Sequence, residues 1–114
     1  MTNQDLIEYL QRLGHSVEVT QAANGQRFIV VRGYRIPAGG LRGAICDIGI
    51  PWGDAVPYVA APQLHTRPAL IPMGQLNTQA SPLGAEWQYL SRRLRVTPTP
   101  KAILAHIATV LSEV

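Results

Sequence analysis

Apolar residues recur at three- and four-residue spacing at the start of the chain: Leu6, Ile7, Leu10 and Leu13. That period places them on one helical face. Thr2 or Asn3 is positioned to cap the helix, and Gly14 follows where helices often end in the left-handed conformation. The period then changes to two. Residues 17–20 (VEVT) alternate apolar and polar, Asn24-Gly25 is a two-residue hairpin turn signal, and residues 27–31 (RFIVV) return as a second strand. Residues 34–40 (YRIPAGG) make a turn-rich connection. Ala44, Cys46, Ile48 and Ile50 share one face of a third strand, with Asp47 and Gly49 on the other. Pro51 ends that strand because its nitrogen cannot donate to a ladder. Residues 58–61 (YVAA) form a short fourth strand between Pro57 and Pro62. Residues 62–84, with four prolines, form an irregular flap, and residues 86–94 a short helix. In the last segment Thr99 caps, Pro100 takes the first helical position, and Ile103, Leu104, Ile107, Val110 and Leu111 make one apolar stripe.

The expected architecture is therefore α+β. An N-terminal helix leads into an antiparallel meander of three to four strands, then a proline-rich flap and C-terminal helices packed on one face of the sheet. With 114 residues and 46% hydrophobic content, residues 1–114 are read as a single folded domain. Length excludes large dinucleotide enzymes and (β/α)₈ barrels. No apolar run reaches the roughly 18 residues of a membrane span, and the first ten residues lack the basic and apolar blocks of a secretory signal. One cysteine, Cys46, forms no internal disulfide and no cysteine-rich metal site. A cytoplasmic protein with a reduced thiol is expected.

Charge adds little. The net charge is +3, carried by nine arginines and Lys101. Arg92, Arg93 and Arg95 cluster and are candidates for contact with phosphates or with an acidic partner surface. One short cluster with no interleaved aromatics gives no phosphate-tracking groove, so nucleic acid is not expected as a partner. Trp52, just after Pro51, either covers the end of the sheet or stands exposed as a candidate interface anchor for a partner, whereas Trp87 is expected to pack under the flap. His65 lies in the flap beside Arg67 and is the candidate acid or base. His15, His65 and His106 share no metal-ligand spacing, and neither a metal nor another cofactor is expected. Gly39-Gly40 opens no phosphate loop, and no Gly-x-Ser-x-Gly elbow occurs. Cys46, mid-strand among apolar neighbours, is expected to be buried.

Several segments, in order, resemble the ubiquitin-conjugating enzyme (UBC-like) superfamily, and more closely a bacterial branch called prokaryotic family E. They are Tyr34-Arg35-Ile36-Pro37, then Asp47-Ile48-Gly49-Ile50-Pro51 with Pro57 and Pro62, then Trp87-Gln88-Tyr89-Leu90-Ser91-Arg92-Arg93, and the closing helix from Pro100. The resemblance covers residues 27–114. It implies a fold that handles a ubiquitin-like protein together with its activating enzyme. Active members carry the modifier on a cysteine that follows the flap. This chain departs there: no cysteine follows Cys46, and His65-Thr66-Arg67 matches the family's His-Pro-Asn triplet only at the histidine. The expectation is a non-catalytic or degenerate member that binds a ubiquitin-like modifier or its activating enzyme. The alternatives are an active conjugating enzyme using Cys46 or His65, and a small adaptor unrelated to protein modification. Exposed strand edges leave pairing of two copies open.

Overall fold

A computed structural model describes residues 2–53, 64–72, 75, 78–90 and 99–113. Helix α1 (Asn3–Arg12) begins with a reciprocal cap. Thr2 Oγ1 accepts from the Asp5 N–H at 3.1 Å, and the Asp5 carboxylate accepts from the Thr2 N–H at 2.9 Å. Leu6 and Leu10, one turn apart, are the buried residues of its inner face. Helix α2 (Pro100–Ser112) starts in the same manner: Thr99 Oγ1 accepts from the Ala102 N–H, and Pro100 sits where no hydrogen bond is lost.

Between the helices run β1 (Ser16–Gln21), β2 (Arg27–Arg35), β3 (Ile45–Pro51), β4 (Leu64–Arg67), β5 (Thr78–Ala80) and β6 (Gln88–Leu90). They form one antiparallel sheet in the order β1-β2-β3-β4-β6-β5. The fold is α+β, as expected, but among the described residues the sheet has six strands rather than three or four. The Asn24-Gly25 turn is one residue longer than a two-residue hairpin. Gly25, at φ +87°, donates to the Ala22 carbonyl, and Ala22 in turn donates to that of Gln26.

Strand β2 continues beyond the expected Val31 to Arg35. A register shift between Val31 and Tyr34 marks a bulge, and Gly33 takes φ +67° within it. The extra residue breaks the two-residue period, which is why the sequence pattern alone ends the strand early. The flap expected over residues 62–84 is partly sheet: β4 and β5 lie inside it. The helix expected over residues 86–94 is replaced by β6 across residues 88–90. There Gln88 and Leu90 are buried on one face, and pairing to both β4 and β5 overrides a helical pattern of only two turns. The strand expected at residues 58–61 lies outside the described residues.

One face of the sheet carries both helices. Leu6, Leu10, Ile103, Ile107, Val110 and Leu111 pack on Ile29, Val31, Cys46, Ile48, Ile50, Leu64 and Leu90. Each such side chain removed from water contributes about 1.5–3 kcal/mol before the entropy of ordering is counted. The opposite face holds a smaller cluster of Ala22, Phe28, Val30 and Trp87, with Leu83 laid over it. The sheet is therefore covered on both sides, which accounts for four consecutive buried residues at Phe28, Ile29, Val30 and Val31.

Candidate functional site

Strand parity decides where each candidate side chain goes. Cys46 points to the helix-covered face and is 3% exposed. Burial there, with Asp47 next to it, pushes the thiol up to about 11. The thiolate, the only nucleophilic form, is thus nearly absent at neutral pH.

His65 points to the other face and is also buried. Its ring stacks on Tyr89, meets Phe28 edge-on, and shares a 2.8 Å hydrogen bond between Nδ1 and Ser81 Oγ. Burial pulls its pKa down to about 4. A serine–histidine contact is a familiar nucleophile–base arrangement, but this one has other duties. Ser81 Oγ also accepts the Leu83 N–H at 3.1 Å, so the pair ties down the turn that covers Gly49 and Trp87. A base this weak takes a proton from a hydroxyl poorly near neutrality.

Trp52 is half-buried at the end of the sheet, packed against the main core, with the Arg27 guanidinium 4.7 Å above its ring. Two clamps hold it there. The Trp52 N–H donates to the Arg27 carbonyl, and the Asn3 amide exchanges two hydrogen bonds with the Gly53 backbone at 2.7 and 2.9 Å. Arg92, Arg93 and Arg95 lie outside the described residues. Among the described residues the sequence candidates are not brought together: Trp52 and His65 occupy separate environments.

What it does bring together is a set that the sequence pattern did not group. Asp47 on β3 faces Arg67 on β4 in register. Asp47 Oδ2 accepts from Arg67 Nε at 3.0 Å and Nη2 at 2.6 Å, while Oδ1 accepts from the Gly33 N–H in the bulge. Burial raises the Asp47 carboxyl, but the Arg67 hydrogen bonds, the Gly33 N–H and the charges of Arg67 and Arg32 outweigh it, so it sits below the usual carboxylate range. Arg67 also stacks on Trp87 at 4.9 Å. Beside this pair an open groove of about 540 Å³ is lined by Ile45, Pro68, Ala69, Ala85 and Glu86. Ile45 is 56% exposed, the most exposed large hydrophobic side chain among the described residues. An apolar floor with a fixed cation and carboxylates at its rim suits contact with another protein better than chemistry on a small molecule. A sequence signal existed, since Ile45 and Asp47 share the polar parity of β3. Their partner Arg67 fell in a segment read as a loop, so no register linked them.

Among the described residues no group of three or more His, Cys, Asp or Glu side chains is arranged to hold a metal ion. No helix among them is long and apolar enough to cross a membrane. Comparison with protein-family models, with curated proteins and with solved structures gives no match to this chain.

Proposed function

We propose that this chain is a non-catalytic member of the ubiquitin-conjugating-like fold that acts as a protein-binding module, with a ubiquitin-like modifier or its activating enzyme as partner. One observation carries the non-catalytic part: the single thiol faces the helix-covered core, and its pKa lies near 11. Thioester transfer needs an exposed thiolate, and Cys46 offers neither exposure nor charge. The family assignment is supported by the run of resembling segments, whose described residues follow one another along β2, β3, β6 and α2. The contact surface in this reading is the groove around Ile45 and Arg67 on the face away from the helices.

The test is a titration of the full chain with a ubiquitin-like protein encoded in the same genome. A companion reaction contains the activating enzyme and ATP and is resolved on a non-reducing gel. Micromolar binding that Ile45→Glu weakens, with no adduct formed, supports the reading. A reducible adduct lost in Cys46→Ser overturns the non-catalytic part. Absence of binding to modifier and activating enzyme at high micromolar concentration overturns the choice of partner.

A further inference from the structure

Strand β1 forms one edge of the sheet, and among the described residues no strand lies across its outer side. The direction of its backbone groups follows from two hydrogen bonds. Ala22 donates to Gln26 where β1 turns into β2, and Trp52 donates to Arg27 on the far side of β2. Hydrogen-bonded pairs alternate along an antiparallel ladder. The even-numbered residues of β1 (Ser16, Glu18, Thr20) therefore bond inward to Arg32, Val30 and Phe28, their partners in register. The N–H and C=O groups of Val17, Val19 and Gln21 point to the open edge.

This edge carries little of the usual protection, and its one charged side chain, Glu18, is held by Arg32. The edge contains no proline, lysine or bulge. Val19, one of its outward-bonding residues, is 47% exposed, and Leu13, at the end of α1 just before the strand, is 53% exposed. The opposite edge, β5, is only three residues long.

We propose that β1 pairs antiparallel with β1 of a second copy about a two-fold axis through Val19, giving a homodimer with one sheet running through both chains. Parity and charge select this register. Outward-bonding residues must face one another, which leaves two long pairings. One is centred on Glu18 and sets that carboxylate against its own copy, a destabilising juxtaposition. The other is centred on Val19 and pairs residues 17–21 of each chain, setting Val19 against Val19 and Glu18 against Thr20. The Arg32 guanidinium holds Glu18 at 2.6 Å, within its own chain and over β2, and so leaves the seam free of an unpaired charge. A self-complementary strand of this kind fits a second copy, because a two-fold axis repeats each inter-chain hydrogen bond and so satisfies the outward groups of both chains. This inference rests on the edge alone and is independent of the proposed function.

Sedimentation equilibrium on the full chain is expected to show a dimer at micromolar concentration. Thr20→Glu places a carboxylate opposite the second copy's Glu18 at two symmetric points and is expected to weaken the dimer about tenfold at low salt, with an unchanged circular dichroism spectrum. Val19→Cys brings two thiols onto the axis with Cα atoms about 5.5 Å apart, within disulfide reach, so mild oxidation should give a linked dimer. Val17→Cys leaves its copies about 13 Å apart and should not link. A chain that stays monomeric with no linked Val19→Cys species overturns the proposal. So does Val17→Cys linking as readily as Val19→Cys.

Discussion

The imidazole of His65 lies against the ring of Tyr89, centroids 4.9 Å apart and planes 17° from parallel, while Phe28 closes its edge at 4.8 Å. A ring enclosed in this way is held neutral, and stability becomes linked to pH. The group takes up its proton near 6.5 in the unfolded chain but only near 4 in the folded one. Between those values the unfolded state binds the extra proton. The contribution is therefore whole above about pH 6.5 and falls away as pH drops toward about 4. Urea unfolding at about pH 5 should give a free energy about 2 kcal/mol below that at about pH 7.5. His65→Gln should be less stable at both values and should lose most of the difference between them. An unchanged pH dependence in the variant would place the linkage elsewhere.

Asp47 and Arg67 couple β3 to β4, but Asp47 also supports the β2 bulge through the Gly33 N–H. The two side chains are 19% and 30% exposed, so part of their attraction is screened by water. Arg67→Ala should cost about 1–2 kcal/mol, and Asp47→Ala roughly 1 kcal/mol more, because it also leaves the Gly33 amide without its acceptor. A double-mutant cycle read by chemical denaturation separates the shared term from the bulge term. Equal costs for the two single variants would show that the bulge does not depend on the carboxylate.

Gly49 occupies the point on β3 where the covering turn comes closest. A Cβ built there would stand 2.8 Å from Leu83 Cδ1 and 3.2 Å from His65 Cβ. Gly49→Ala is therefore expected to destabilise by about 1–3 kcal/mol through overpacking. Leu83→Ala removes the nearer obstacle. Gly49→Ala should cost less in the Leu83→Ala background than in the parent, and fully additive thermal shifts would contradict this contact.

The sequence made the two ends and the first hairpin legible, because local chemistry decides them. Thr2, Asp5, Thr99 and Pro100 act within one helical turn, and the Asn24-Gly25 pair acts within one hairpin. The burial of Cys46 followed from its apolar strand neighbours. The middle was not legible, because long-range pairing decides it. Residues 64–67 and 78–80 become strands by closing on β3 and β6, and a segment with two aromatics, an amide and leucine at residues 87–90 carries no period long enough to separate strand from helix. The groove stayed hidden for the same reason. Ile45, Asp47 and Arg67 meet only once the β3–β4 register is fixed, and a bulge at Gly33 shifts the preceding strand by one residue.

Gln88 gives the sharpest test of that long-range order. Its side chain is 1% exposed, yet it does what a strand backbone would do: it accepts the Ile71 N–H at 3.1 Å and donates to the Ile71 carbonyl. One amide thereby docks residues 68–72 onto the helix-covered face. Gln88→Leu fills similar volume but leaves both Ile71 groups buried without partners, and should cost about 2–4 kcal/mol. Hydrogen exchange at the Ile71 amide should accelerate in that variant. Gln88→Glu separates hydrogen bonding from packing. An ionised carboxylate still accepts the N–H but faces the Ile71 carbonyl with no proton to offer, whereas the protonated acid restores both bonds. Its folded pKa is therefore raised above the unfolded value, and the sign is opposite to that of His65: stability relative to the parent is greatest at low pH and is lost as pH rises through the folded pKa. Unfolding free energies of Gln88→Glu and parent, compared at about pH 5 and about pH 7.5, should show the deficit narrowing at the lower value. A deficit independent of pH would mean that residues 68–72 are held by packing and not by this amide.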